Sequence, residues 1–83
     1  MNYYRIYNEL IDRAKNRKLD EYKETHHIIP RCLGGSDEIN NLVDLTPEEH
    51  FIAHQLLVKK YPNEAKLVFA CLMMCRGPLR KKK

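Results

Sequence analysis

The segment Glu24–His54, ETHHIIPRCLGGSDEINNLVDLTPEEHFIAH, contains all four histidines of the 83-residue chain. Two are adjacent at its start, His26 and His27, and two stand four residues apart at its end, His50 and His54. Thr25–Pro30 carries β-branched Thr25, Ile28 and Ile29 and closes on a proline, which reads as a short strand. Leu42–Leu45 is a second apolar run, long enough to pair back on the first. Arg31–Asn41 between them reads as a loop, because Gly34-Gly35 permits backbone angles denied to other residues and Ser36, Asp37, Asn40 and Asn41 are turn formers. Thr46-Pro47-Glu48-Glu49 is a helix start, with Thr46 as N-cap, Pro47 at the first helical position and Glu49 completing a capping box. The helix runs to about Lys60 and is stopped by Pro62. Phe51, Ile52, Ala53, Leu56, Leu57 and Val58 cover most of its wheel, which predicts a largely buried central helix.

Working outward, residues 3–17 space Tyr3, Ile6, Tyr7, Leu10, Ile11 and Ala14 as an amphipathic helix that Asn2 can cap. Residues 18–23 form a polar connection. Asn63–Cys75 reads as a last helix with Asn63 as its cap and Gly77-Pro78 as its end, and the basic tail Leu79–Lys83 reads as flexible. No repeat or internal boundary interrupts the chain, so residues 1–83 are expected to form one α+β domain whose thin core gains from a metal or a partner. Three cysteines, Cys32, Cys71 and Cys75, fit a reducing compartment better than a disulfide scaffold, and Cys71 and Cys75, on one helix face, are expected to be small core residues. Arg5, Asn8, Glu9, Asp12 and Arg13 break up the N-terminal apolar residues, so no signal peptide or membrane span is expected. A formal net charge of +4 biases the chain toward anionic partners such as nucleic acid.

Packing the hairpin on the central helix would bring His26 and His27 close to His50 and His54. Histidines at i and i+4 on a helix can aim two imidazoles at one ion, and a third ligand from a strand leaves positions open for water and substrate. Adjacent strand residues point to opposite faces, so one of His26 and His27 is expected to bind metal while the other acts as a general base. Asn41 is placed to hydrogen-bond across the loop and fix that base. Arg31, Lys59 and Lys60 are candidate phosphate contacts.

The blocks HHIIPRCLGG, NNLVDLT and EEHFIAH resemble the HNH endonuclease motif of the ββα-metal nucleases, and the chain is similar to small phage-encoded HNH proteins of the homing-endonuclease type. The resemblance implies a ββα-metal (HNH) core over residues 24–60, a short β-hairpin packed on a central helix, flanked by N-terminal and C-terminal helices. It implies a metal-dependent DNA endonuclease in which His27 is the general base, Asn41 orients it, and His26 and His50 bind metal. His54 either completes the metal site or contacts the scissile phosphate. One divalent ion is expected, magnesium first, with manganese, zinc or nickel as alternatives. Further expectations are a DNA partner, no membrane, a monomer that nicks or a homodimer that cuts both strands, and the cytoplasm of a bacterial host if the chain is phage-encoded. The competing readings are a non-catalytic, metal-stabilised DNA-binding module and, from composition alone, an interaction domain using the helix that carries Met73 and Met74.

Overall fold

The computed structural model describes residues 2–76. In chain order these are helix α1 (Tyr3–Lys15), strand β1 (Glu24–His27), strand β2 (Leu42–Leu45), helix α2 (Pro47–Lys60) and helix α3 (Ala65–Arg76), with single 3-10 turns at Arg31–Leu33 and Ile39–Asn41 between the strands. The α+β architecture expected from the sequence is the one found: an antiparallel hairpin on a central helix, with a helix on either flank. The expected tail and the Gly77-Pro78 stop lie outside the described residues. Among the described residues, no helix is long and apolar enough to cross a membrane.

Asn2 caps α1 by accepting a hydrogen bond from the Arg5 amide at 3.0 Å. The helix buries Tyr7, Leu10, Ile11 and Ala14, a spacing of three and four residues that forms one stripe. Tyr4 and Ile6 fall outside the stripe and are exposed, so the aromatic residues of this helix divide between core and surface. The helix ends at Lys15, two residues before the expected boundary, because Asn16 turns back and donates its side-chain amide to the Asp12 carbonyl at 2.9 Å.

The hairpin pairs Glu24 with Leu45, Thr25 with Asp44, His26 with Val43 and His27 with Leu42. Directly paired residues of antiparallel strands share a face. His26, Val43 and Leu45 are accordingly buried, whereas Thr25 and Asp44 are exposed. The first strand stops at His27 instead of continuing to Pro30. Beyond it the chain is drawn to Asn41 rather than along β2: the Ile28 amide donates to the Asn41 main-chain carbonyl at 2.8 Å, and Pro30, which lacks an amide hydrogen, opens the first 3-10 turn.

The start of α2 is as read. Thr46 accepts from the Glu49 amide at 3.2 Å, and the Glu49 carboxylate accepts from the Thr46 amide at 3.0 Å. Arg17 reaches the same carboxylate with both terminal nitrogens, one of them at 2.7 Å, and so ties the end of the α1 region to the start of α2. Arg17 holds Glu49 down at about 2, well below the usual carboxylate range. The helix is less buried than its composition predicts: only Ala53 and Leu57 are fully inside, and Ile52 is exposed. With only a two-stranded sheet and two flanking helices to cover it, one side of α2 stays in water. The last helix starts at Ala65 rather than Asn63, and its Leu67 joins Tyr7, Leu10, Val43, Leu45, Ala53 and Leu57 in the core.

Candidate metal centre

Strand alternation turns His26 inward, and the i, i+4 spacing on α2 places His50 and His54 one turn apart opposite it. The three imidazoles meet. Their candidate ligand atoms all lie within 4.8 Å of one another, and the ring centroids are separated by 5.1, 5.1 and 4.9 Å. His26 is only 1% exposed.

Hydrogen bonding accounts for part of each ring. The Nδ1 of His50 faces the Glu24 carboxylate at 2.8 Å, leaving Nε2 as its available ligand atom. His26 Nε2 lies 2.7 Å from the Tyr7 hydroxyl. The Nδ1 atoms of His26 and His54 are buried with no hydrogen-bond partner. Burial, reinforced by the neighbouring histidines, pushes His26 down to about 3, and burial together with His50 pushes His54 down to about 4. Both are therefore neutral at physiological pH, the state in which imidazole offers a lone pair to a cation. Buried, unprotonated and unpartnered nitrogens converging on one point are what a metal ion requires, so these residues fit one. His54 belongs to this group, its ring packed against those of His26 and His50.

His27 emerges on the other face of β1, yet its side chain reaches the rim of the same cleft. That cleft, of about 340 Å³, is lined by His26, His27, Arg31, Cys32, His50, His54 and, from α3, Lys66, Leu67 and Ala70, among others. The Nε2 of His27 lies 2.7 Å from an Asp37 carboxylate oxygen, which also accepts from Arg31 Nε at 3.0 Å. These two bonds hold Asp37 below the usual carboxylate range, so it stays ionised. An ionised carboxylate only accepts, so Nε2 carries the proton and Nδ1 is the basic atom of His27.

Asn41 does not contact the His27 ring. Its side-chain oxygen accepts from the Ile29 amide at 2.8 Å, and its side-chain nitrogen donates to the Ile29 carbonyl at 3.0 Å and to the Ser36 carbonyl at 2.8 Å. A primary amide can pair with both the N–H and the C=O of one residue, and here it does so with Ile29 and closes the loop behind β1. Asp37 is thus the side chain that contacts the His27 ring, whereas Asn41 fixes the backbone two residues further on. Gly35 completes this closure. A Cβ there would lie 1.6 Å from the Ile29 carbonyl oxygen, so no other residue fits.

Of the expected phosphate contacts, Arg31 lines the cleft, but neither Lys59 nor Lys60 does. Lys60 lies 3.8 Å above the Tyr4 ring and lines a different groove. Lys66 was missed in the sequence because nothing local shows that α3 folds back over the histidines. Asp37 was read only as a turn former, and Tyr7 only as a core residue. Glu24 carried a usable signal: it lies two positions before His26 on a strand, and hence on the same face.

The chain is similar to three proteins of Enterobacteria phage T4. It is 60% identical to "Probable mobile endonuclease E" over 84 aligned positions, covering all of this chain and 59% of that protein. It is 58% identical to "Probable mobile endonuclease B", covering 90% of the chain and 30% of the relative, and 53% identical to "Probable mobile endonuclease D", covering 84% and 29%. The chain thus spans less than two thirds of the length of each. No protein-family model matches the chain, and no solved structure matches it.

Proposed function

We propose that residues 24–60 and their flanking helices form the catalytic domain of a metal-dependent DNA endonuclease of HNH type. The observation that carries this reading is the pairing, in one cleft, of three converging imidazoles with a fourth, His27, whose ring is oriented by Asp37. The likeness to proteins named mobile endonucleases supports phosphodiester hydrolysis as the reaction. His26, His50 and His54 would hold one divalent ion, which when bound supplies a Lewis acid beside the scissile phosphate. An all-imidazole set favours zinc or nickel over magnesium and manganese, which prefer oxygen ligands.

His27 Nδ1 removes a proton from a water molecule as its oxygen attacks phosphorus, and the bond from phosphorus to the 3′ oxygen breaks on the opposite side. The leaving 3′ oxygen takes a proton from solvent water and His27 returns its own to solvent, so the products are a 5′-phosphate and a 3′-hydroxyl. Asp37 stabilises the imidazolium that forms on His27, through the proton already shared with Nε2. Arg31 and Lys66 lie at the cleft wall where they can hold phosphate oxygens. One such cleft cuts one strand, so a monomer nicks.

Metal-stripped protein is incubated with supercoiled plasmid, and zinc, nickel, manganese or magnesium is restored singly, with His27→Ala in parallel. Metal-dependent nicking that the variant loses, while still binding metal, is the expected result. Binding of DNA without cleavage under every metal would replace this reading with that of a metal-stabilised DNA-binding module.

A further inference from the structure

Tyr7 stands outside the histidine-rich segment, on α1, but its hydroxyl makes two contacts at the centre of the molecule. It lies 2.7 Å from the Ile28 carbonyl oxygen and 2.7 Å from His26 Nε2. The two partners are not equivalent. A carbonyl oxygen carries no proton, so the single phenolic hydrogen must be donated to Ile28, and the contact with His26 is a hydrogen bond only if Nε2 donates. His26 then carries its proton on Nε2 and a lone pair on Nδ1. That nitrogen is the one found buried and without a partner, on a ring that packs against those of His50 and His54.

We propose that Tyr7 is a positioning residue for the metal centre: its hydroxyl locks His26 in the Nε2–H tautomer and so presents Nδ1 to the ion. The inference rests on the reading of the three histidines as ligands. The Ile28 carbonyl that orients the hydroxyl lies just past His27, so the same side chain also ties the end of β1 to α1. Glu24 plays the matching part for His50, where a carboxylate accepts from Nδ1–H and leaves Nε2. The two ligands are thus fixed in opposite tautomers by partners that each accept a ring N–H, at Nε2 of His26 and at Nδ1 of His50.

A purely structural role for Tyr7 would need only the Ile28 carbonyl as partner and would leave the tautomer of His26 undetermined. Nitrogen-15 NMR of the metal-free wild-type protein reads the tautomer directly. The expected result is a single Nε2–H form of His26 with a slowly exchanging ring proton, and a mixture or the Nδ1–H form overturns the proposal without reference to any variant. Tyr7→Phe keeps the ring and removes the hydroxyl. It is expected to lose the exchange protection and to weaken zinc binding, measured by calorimetry, on the order of 10-fold or more. Wild-type binding that is abolished by His50→Ala but unchanged in Tyr7→Phe overturns the role of Tyr7 alone. Wild-type protein that binds no zinc overturns the ligand reading, and the purpose assigned to Tyr7 with it.

Discussion

A buried imidazole with a depressed pKa makes stability depend on pH in a direction that can be worked out. His26 is held at about 3 in the folded chain, against an ordinary value near 6.5. Between these values the unfolded chain binds more protons than the folded one, so stability is full above about pH 6.5 and falls as pH drops toward 3. His54, at about 4, adds to the same trend. The metal-free protein is therefore expected to show a lower urea midpoint at about pH 5 than at about pH 7.5, and the difference should shrink in His26→Gln, which keeps a side chain that can hydrogen-bond but does not titrate. Asp37 allows a separate test of the proposed base. Asp37→Asn keeps the size of the side chain but removes its charge from beside His27, and it is expected to slow nicking about 10-fold while leaving zinc affinity unchanged. Equal loss of both would place Asp37 in the folding of the loop instead.

The elements show which local signals sufficed. The capping box at Thr46 and the strand Leu42–Leu45 were legible because each is decided by neighbours within four residues. The end of β1 was not, because Ile28 and Ile29 have strand composition but their backbone groups pair with Asn41, twelve positions beyond Ile29. The two adjacent glycines of the loop look interchangeable in sequence and are not. Gly34 has φ of 94° with open space around it, so Gly34→Ala costs only the backbone strain, about 1 kcal/mol. Gly35 lies against the Ile29 carbonyl, and Gly35→Ala must displace that backbone along with the Asn41 clamp, a loss on the order of 3 kcal/mol or more. Guanidinium denaturation of the two variants checks the order, and a larger loss at Gly34 would contradict it.

For the whole molecule, the pattern of histidines made the metal centre readable, whereas the groups around it come from helices whose packing no local pattern specifies. Tyr7 reaches His26 from α1, and Lys66 and Leu67 reach the cleft from α3. With so small a core, an ion held by the three imidazoles would also be a structural component. If zinc binds only the folded chain, a free concentration about 100 times its dissociation constant adds about 2.7 kcal/mol to stability. A rise in thermal midpoint on adding zinc, reversed by a chelator and absent in His50→Ala, is the expected outcome. The wall formed by Lys66, Leu67 and Ala70 has a temporal consequence. In a chain emerging from the ribosome, the segments that carry His26, His50 and His54 leave before the segment that forms this wall. Synthesis thus exposes the three imidazoles first and the wall last, and an ion that they would hold is expected to find that side open before the wall arrives.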